Sequence, residues 1–399
     1  MKETTSLPPG PAPLEASSQE LSSQKSSSQE SSPLAQTIRL GTEIWHDGAV
    51  AAELAAAVAA GATGATSNPS LVLEAVRREA ALWAGRVRAL AAERPGASDI
   101  DLAAALVSEV AGRGAAILQP LFEREGGRRG RFAAQVTPAT YGNAEATVAE
   151  GLAIATAAPN LQPKIPATRA GIAALEELTA RGVTAMATAC FTVSQAVAVG
   201  EAIERGLARR AAAGHDTAAM TPLCVFLIGR TDDWFAGLAE REGREVEPGL
   251  LGWPGIACLK TAYGLYQDRG FRTRLLVAGF RREEHWSAFV GGDLVISLTP
   301  VWARRVEAWR MPVRPAIGQA VPAPTLASLV RAFPEFARAL SPDGFGIEEF
   351  DVLAPMVRTL RGFLRARHEL LAFIADALLP DPFDRLEGPA APSPGDLHE

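Results

Sequence analysis

Lysine is the most informative residue type in this chain, because it is rare. Arginine supplies most of the 39 basic residues, and the lysines are Lys2, Lys25, Lys164 and Lys260. A guanidinium group stays protonated in proteins, whereas an amine can lose its proton and act as a nucleophile. A general bias toward arginine explains the composition equally well. The position of each lysine must therefore show whether it could act as a nucleophile. Lys2 and Lys25 lie in a Ser- and Gln-rich tail, which leaves two candidates.

Lys164 lies in the segment "LQPKIPAT", where Pro166 forces Ile165 into an extended conformation and the flanking residues are apolar. This pattern predicts a buried strand, where desolvation favours the neutral amine that attacks a carbonyl to form an imine. An ion-paired lysine at a strand end is the alternative. Lys260, in "GIACLKTAYGLYQ", falls on a predicted helix, where lysine side chains usually extend to water. We therefore expect Lys164 to be the nucleophile.

Charged residues also follow other predicted strands. Asp47, in "IWHDGA", is suited to move a proton to or from a hydroxyl group, but it is equally suited to be a helix N-cap. Arg230 and Arg281 follow two consecutive predicted strands, where paired guanidinium groups can bind one phosphate through forked hydrogen bonds. A surface ion pair is the alternative for a lone arginine. The histidines show no ligand spacing with one another or with cysteine, so no metal site is expected.

The elements that must position these residues alternate along the chain. Short apolar or β-branched segments are followed by alanine-rich stretches, which predicts parallel strands joined by helices, for example at 51–59 and 282–290. An open doubly wound sheet is the main rival, but no glycine-rich phosphate-binding sequence follows the first strand. The prediction is α/β class, a (β/α)8 TIM barrel with additional helices. Its eight strands are expected at 44–45, 62–66, 132–136, 164–165, 185–189, 223–228, 275–278 and 294–298.

In such a barrel the carboxyl ends of the strands surround one mouth, so polar residues at those ends converge. Besides the aspartate, the lysine and the two arginines, this rule selects four residues. They are Ser67 and Asn68 after the second strand, Gln135 in the third and Thr188 in the fifth. We expect all eight side chains to line one site.

Three segments are expected along the chain. Residues 1–36, with repeats such as "SSQELSSQKSSSQESS", nearly lack large apolar side chains, so we expect a disordered tail. A single barrel domain with C-terminal helices is expected over 37–385, and a flexible C-terminus over 386–399. Two stretches exceed a minimal barrel: 70–118, with one or two helices, and 325–380, whose helical periodicity predicts an extension that packs on the barrel.

The net charge is −6 and acids and bases are interspersed, so there is no basic stripe for nucleic acid and no polybasic segment for a membrane. Cys190, Cys224 and Cys258 stand in apolar surroundings and are expected in the core, which fits a reducing compartment. No apolar segment approaches the ~18 residues of a membrane-spanning helix, and no signal-peptide pattern opens the chain. We expect a cytoplasmic protein with a small-molecule partner; the sequence leaves its oligomeric state open.

Five segments, in order across roughly residues 40–310, resemble the transaldolase family, which includes transaldolases and fructose-6-phosphate aldolases of the class I aldolase superfamily. They are "IWHDG", "GATSNPSLVLEAV", "KIPATRAGIAALEELTARGVTAMATACFTVSQA", "FLIGRTDDWF" and "LLVAGFRREEHWSAFVGGDLVISLTPVWARRV". The "TSNPS" and "KIPAT" segments, with their spacing, are the specific ones.

The resemblance implies a transferase without metal or cofactor, acting on a ketose phosphate donor and an aldose phosphate acceptor in the pentose phosphate pathway. Lys164 would form an imine with the ketose, and Asp47 would assist proton transfer during cleavage. A dihydroxyacetone unit would remain bound as an enamine and then pass to the aldose phosphate. The family pattern also places Thr188 beside a catalytic water molecule.

The same resemblance implies the substrate-binding residues. Asn68, with Ser67 beside it, would hold the hydroxyl groups of the dihydroxyacetone unit. Arg230 and Arg281 would bind the phosphate, in agreement with their positions after consecutive strands.

Several positions depart from the transaldolase pattern. Gln135 replaces a glutamate and Met186 an asparagine, and both are closer to the aldolase branch; Val225, Leu227 and Gly279 differ near the arginines. Glutamine cannot exchange a proton as a carboxylate does, so the water-mediated step loses its usual base. Transaldolase-type transfer is the first expectation. An aldolase that releases dihydroxyacetone and a non-catalytic sugar-phosphate-binding barrel are the alternatives.

Overall fold

The computed structural model describes residues 32–379. Within them, eight parallel strands form a closed barrel in chain order, and β1 pairs with β8. The strands are β1 (Glu43–Asp47), β2 (Gly64–Thr66), β3 (Arg131–Gln135), β4 (Leu161–Pro166), β5 (Met186–Cys190), β6 (Leu223–Leu227), β7 (Arg274–Ala278) and β8 (Val295–Leu298). The predicted (β/α)8 TIM barrel is confirmed, and each predicted strand overlaps an observed one.

Helices follow the strands and extend the chain after the barrel. They are α1 (Pro33–Arg39), α2 (Ala51–Ala59), α3 (Pro69–Arg78), α4 (Ala80–Glu93), α5 (Asp99–Arg124), α6 (Ala144–Ala157), α7 (Arg169–Ala180), α8 (Val193–Ala212), α9 (Ile228–Glu242), α10 (Pro254–Asp268), α11 (Glu284–Ser287), α12 (Pro300–Glu307), α13 (Ala323–Ala332), α14 (Pro334–Leu340) and α15 (Ala354–Leu378). The helix expected at 282–290 is therefore limited to the four residues of α11. The stretch 70–118 holds three helices rather than one or two.

The boundary of the predicted disordered tail at residue 36 is wrong. Residues 33–36 belong to helix α1, which begins after Ser32, an N-cap whose side chain accepts a hydrogen bond from the backbone of Ala35. Leu34 is buried in the main core, and the indole of Trp286 donates to the hydroxyl of Thr37. Residues 1–31 and 380–399, which include the rest of that tail and the predicted flexible C-terminus, lie outside the described residues.

The turn that leads from β2 into α3 shows how the sequence sets the local structure at the barrel mouth. Asn68 is the N-cap of α3, and Pro69 occupies the first helical position, where the missing N–H costs nothing. The side-chain oxygen Oδ1 of Asn68 accepts hydrogen bonds from the backbone N–H groups of Ser70 and Leu71 at 3.0 and 3.1 Å. The segment "TSNPS" therefore fixes the point at which strand β2 ends and its helix begins.

The additional helices form a second apolar cluster beside the barrel core. Trp83, Leu90 and Leu106, from α4 and α5, pack with Leu370 and Ile374 of α15. Full burial of one such side chain stabilises the fold by about 1.5–3 kcal/mol, so these contacts hold α15 firmly in place.

Helix α15 lies across the carboxyl end of the barrel. It contacts α3 and α9, which follow strands β2 and β6, and it also contacts strand β5. The predicted C-terminal extension is thus part of the surroundings of the mouth. Within residues 32–379, no helix combines the length and the apolar character needed to cross a membrane.

Candidate active site

Lys164 lies near the carboxyl end of β4, in register with Gln135 of β3 and Met186 of β5. Its side chain is 4% exposed, and its Nζ donates a hydrogen bond to the backbone oxygen of Ser67 at 3.0 Å. Burial lowers the pKa of Lys164 from 10.5 to about 8, the Asp47 carboxylate opposes this decrease, and Arg230 adds to it. At pH 7 roughly a tenth of such an amine is neutral, about 300 times the neutral fraction of an ordinary lysine.

Lys260 has a different environment, although its burial also lowers its pKa to about 8. Its Nζ donates hydrogen bonds to three backbone oxygens, those of Ala316, Ile317 and Gln319, at 2.6, 3.2 and 2.7 Å. These bonds attach helix α10 to the loop before α13. Basicity therefore does not distinguish the two lysines; their positions and hydrogen-bond partners do.

Asp47 ends strand β1, and its carboxylate faces the neighbouring strand. Its Oδ1 accepts a hydrogen bond from the hydroxyl of Thr66 at 2.6 Å, and Thr66 is also 3.1 Å from the hydroxyl of Ser297. Helix α2 begins after Val50 and has no side-chain cap, so the N-cap interpretation of Asp47 is wrong. The charge of Asp47 acts on Lys164, which places both groups in one electrostatic environment.

Ser67 and Asn68 use most of their polar atoms within the protein. The hydroxyl of Ser67 donates a hydrogen bond to the backbone oxygen of Ala133 at 2.9 Å. The backbone oxygen of Ser67 accepts the hydrogen bond from Lys164 Nζ. The side-chain oxygen Oδ1 of Asn68 caps helix α3, which leaves its side-chain nitrogen Nδ2 as the donor for a ligand. Their roles as substrate-binding residues stay predictions.

Gln135 is the polar neighbour of Lys164 on strand β3. It is 7% exposed, yet neither its amide nitrogen nor its amide oxygen has a hydrogen-bond partner within the described residues. The side chain borders a largely apolar cavity of about 440 Å³, with walls that include Val107 and Ile154 of helices α5 and α6. A buried amide of this kind is costly unless a substrate or water satisfies it, so Gln135 is available for binding.

Thr188 is 1% exposed and lies just before a strained segment of strand β5. The next residue, Ala189, has φ of 54°, a left-handed conformation that costs a non-glycine residue roughly 1–2 kcal/mol. The register with β6 shifts between Ala187 and Cys190, as in a β-bulge, which alters the direction of the following side chains. Such strain persists where the surrounding structure enforces it, often at functional sites.

The side chain of Gln195 holds this strained segment in place through hydrogen bonds. This residue was not selected from the sequence. It is fully buried, its amide oxygen accepts from the backbone of Phe191 at 3.1 Å, and its amide nitrogen donates to the backbone oxygens of Ala167 and Ala189 at 3.2 and 3.4 Å. It thereby joins the loops that follow strands β4 and β5, the strands that carry Lys164 and Thr188.

Arg230 and Arg281 border one cavity of about 480 Å³ at the ends of β6 and β7. Arg230 donates to the hydroxyl of Thr359 at 2.8 Å, and Arg281 makes two hydrogen bonds to Asp233 at 2.7 and 3.2 Å. Burial lowers the pKa of Arg230, and the nearby positive charge of Arg281 lowers it further. Two guanidinium groups held this close would be stabilised by an anion between them.

Two glycines allow the first turn of helix α9, which carries Arg230, and the loop that carries Arg281 to approach each other. A Cβ atom on Gly229 would lie 2.0 Å from the backbone oxygen of Gly279, so no larger residue fits there. Gly279 has φ of 78°, a left-handed conformation that favours glycine. This backbone geometry favours the glycine that stands at position 279.

A buried pair, Asp232 and His285, fixes the backbone at Arg281. His285 Nε2 lies 2.8 Å from Asp232 Oδ2, and the backbone N–H of Arg281 donates to His285 Nδ1 at 3.1 Å. Because Nδ1 accepts, Nε2 carries the proton and donates it to Asp232, whose other oxygen accepts from the backbone of Gly255. The pair therefore connects the helix after β6 with the loop after β7.

The eight predicted residues lie at the carboxyl ends of strands β1 to β7, as expected, but they do not all contact one another. Lys164 is linked to Ser67 by a hydrogen bond, to Gln135 by strand register, and to Asp47 and Arg230 by charge. Between residues 32 and 379, no group of three or more His, Cys, Asp or Glu side chains is arranged to hold a metal ion.

Several known proteins of similar sequence carry the name transaldolase. Relatives include Transaldolase 1 of Streptomyces avermitilis, 30% identical over 243 residues (60% of this chain and 60% of the relative). The Transaldolase of Thiobacillus denitrificans is 31% identical over 242 residues, 58% of this chain and 66% of the relative. That of Saccharopolyspora erythraea is 34% identical over 209 residues, 51% and 55% of the two chains.

The matched segment thus spans about three fifths of the length of these relatives. The sequence pattern of the family described as Transaldolase/Fructose-6-phosphate aldolase matches residues 44–320. That match extends from strand β1 to the loop beyond α12 and so includes the whole barrel. The chain belongs to the transaldolase/fructose-6-phosphate aldolase family.

Proposed function

We propose that this protein is a transferase that moves a dihydroxyacetone unit between sugar phosphates, through an imine formed by Lys164, in the pentose phosphate pathway. The observation that carries the proposal is the position of Lys164: it is buried near the carboxyl end of β4, its Nζ donates a hydrogen bond to the backbone oxygen of Ser67, and burial lowers its pKa to about 8. Burying an amine in this way destabilises the fold, and a purely binding protein has no need of it. Membership of the family supports the same chemistry.

The proposed reaction begins when Lys164 Nζ attacks the carbonyl carbon of the ketose phosphate. Loss of water from the resulting carbinolamine gives an imine, which withdraws electrons from the bond between the α and β carbons of the ketose, C3–C4. As that bond breaks, the Asp47 carboxylate accepts the proton of the hydroxyl group on the departing carbon. The aldose phosphate leaves, and the bonding electrons remain on the lysine-bound dihydroxyacetone unit as an enamine. Attack of this enamine on a second aldose reverses the steps.

The phosphate of the donor, and later that of the acceptor, would lie between Arg230 and Arg281. The two arginines border the same cavity, and Arg281 is also held in place by Asp233. A hydrogen bond to a charged group contributes about 1.5–3 kcal/mol, so this pair can provide much of the affinity for phosphorylated sugars.

Reduction with borohydride in the presence of fructose 6-phosphate tests the proposal. We expect one reduced adduct, on the peptide that contains Lys164, and none on the peptide that contains Lys260. The Lys164→Met variant, which keeps the shape of the side chain without its amine, should give no adduct. Modification of Lys260, or no adduct with any ketose phosphate, would contradict the imine mechanism.

A second function, release of free dihydroxyacetone by an aldolase, is favoured by one observation. The amide atoms of Gln135 are buried beside Lys164 and have no partner among residues 32–379, so this side chain can position a water molecule but cannot take its proton as a carboxylate would. Quantifying free dihydroxyacetone from fructose 6-phosphate, with and without erythrose 4-phosphate, distinguishes the two. Transfer predicts that sedoheptulose 7-phosphate forms in large excess over free dihydroxyacetone.

A further inference from the structure

Helix α15 lies beyond residues 44–320, the part of the chain that the family pattern matches, yet it borders the arginine cavity. Two of its residues hold Arg230. The hydroxyl of Thr359 accepts a hydrogen bond from Arg230 Nη1 at 2.8 Å, and the ring of Phe363 lies 5.6 Å from the guanidinium carbon. Thr359 and Phe363 are both buried. This segment therefore determines where one of the two proposed phosphate-binding arginines lies.

The same helix adds positive charge to the cavity. Its walls carry five arginines and one acid, Asp233; the arginines are Arg230, Arg241, Arg281, Arg358 and Arg365. Arg358 is close enough to Arg230 to disfavour its charge. Arg281 has Asp233 as a partner, whereas the side chain of Arg358 has no hydrogen bond or ion pair with any residue between 32 and 379. Within that part of the chain, the cavity thus holds more positive charge than the acidic residues around it neutralise.

The beginning of α15 adds to this preference for an anion. Ala354 and Pro355, in its first turn, also border the cavity, and the N-cap residue Leu353 offers no side-chain acceptor to the first backbone amides. The amino end of a helix carries a partial positive charge that favours phosphate. The unpaired Arg358 lies one turn further along the same helix.

We infer that Arg358 is a third phosphate-binding residue, supplied by the C-terminal helix to complete the site of Arg230 and Arg281. The inference rests on the proposed function for the identity of the ligand, a sugar phosphate. It assigns a direct role in substrate recognition to a segment outside the family match. Thr359 and Phe363 position Arg230 in the same site without contacting the ligand.

Binding of inorganic phosphate at an ionic strength of about 0.15 M, where the Debye length is only about 8 Å, tests the inference without requiring turnover when measured by calorimetry on the full chain. Arg358→Gln should weaken phosphate binding by about tenfold, as expected when one charged hydrogen-bond partner is removed. Arg361→Gln is the matched control, because Arg361 is exposed on the same helix but does not border the cavity. It removes the same net charge and should change the affinity by less than about twofold, since exposed charges at this distance are largely screened. Arg281→Gln serves as the reference for the site itself.

Each outcome is decisive. If Arg358→Gln and Arg361→Gln have equal effects while Arg281→Gln abolishes binding, the inference is wrong and the proposed function stands. If Arg281→Gln also leaves phosphate binding unchanged, the phosphate site of the proposed function is wrong as well. In kinetics, Arg358→Gln should raise KM for fructose 6-phosphate by about tenfold. It should leave KM for unphosphorylated dihydroxyacetone within about twofold of the wild-type value.

Discussion

Replacing Lys164 with methionine should make the protein more stable at neutral pH and abolish its reactivity. The folded state holds Lys164 at a pKa of about 8, against 10.5 for the exposed residue. That difference corresponds to about 3 kcal/mol of destabilisation at pH 7, where the folded protein must bury an ammonium group. Methionine removes this cost but leaves the backbone oxygen of Ser67 without its partner, a loss of about 1–3 kcal/mol.

The dependence on pH separates these two effects. The folded-state pKa lies below the unfolded value, so the wild-type protein binds fewer protons than its unfolded chain between pH 8 and 10.5. Its stability should therefore rise with pH across this window, relative to the Lys164→Met variant. The advantage of the variant should decrease by about 3 kcal/mol between pH 7 and 10.5 and become a disadvantage, since only the lost hydrogen bond remains.

Urea unfolding at pH 7, 8, 9 and 10.5, followed by tryptophan fluorescence, measures this difference directly. Other groups that titrate at high pH are present in both proteins and cancel in the comparison. Lys260→Met is the control, because it removes three hydrogen bonds to backbone oxygens and should destabilise the protein at pH 7. A stability difference between wild type and Lys164→Met that stays constant from pH 7 to 10.5 would refute the argument that burial lowers the pKa of this amine.

Three further predictions concern the substrate. Arg230→Ala and Arg281→Ala should each raise KM for fructose 6-phosphate by roughly tenfold or more and barely affect dihydroxyacetone, and equal effects on both would indicate structural roles. Gln135→Glu should shift the ratio of sedoheptulose 7-phosphate to free dihydroxyacetone more than threefold toward transfer, an effect of only ~0.7 kcal/mol; an unchanged ratio would place Gln135 outside the water network. His285→Asn, whose amide oxygen can take the place of Nδ1 and accept from the backbone of Arg281, should retain more affinity for phosphate than His285→Gln, whose amide nitrogen takes the place of Nε2 and donates to Asp232. The reverse order in calorimetry would contradict the positioning role of His285 Nδ1.

The barrel and most of its mouth follow from local sequence patterns. Asp47, Lys164 and Arg230 could be selected because parallel strands end at one edge, so a polar residue at the end of an apolar segment must face that edge. The interpretation of Asp47 as an N-cap was wrong because of two features that the local sequence does not reveal. Three residues separate Asp47 from the start of α2, and Thr66 on the neighbouring strand supplies its hydrogen bond instead.

Other parts of the site depend on contacts between distant segments. The expected helix at 282–290 is reduced to α11, and His285 lies inward against Asp232, which is far away in sequence. The left-handed conformation of Ala189 has no signal in its residue type. The arginines of α15 recur at short intervals, so periodicity alone cannot indicate that Arg358 borders the cavity and Arg361 does not.

The departures at the phosphate end lie where helix α15 approaches. Leu227 ends strand β6 and Gly279 follows strand β7, each a few residues before an arginine, and neither offers a side-chain donor to a phosphate. Thr359 and Arg358 bring polar groups to the arginine cavity from outside the matched segment. Under the proposed function, the C-terminal helix would supply donors that the side chains at 227 and 279 do not.

The departures near the reactive amine have a different consequence. Gln135 and Met186 are the register partners of Lys164 on its two sides, and neither carries a charge. A glutamate at position 135 would lie on the adjacent strand, about 5 Å away, where at an effective dielectric constant of 20 it would stabilise the ammonium by about 3 kcal/mol. That is as large as the whole effect of burial on the pKa of Lys164. Uncharged neighbours therefore keep this amine neutral at lower pH than a neighbouring carboxylate would allow.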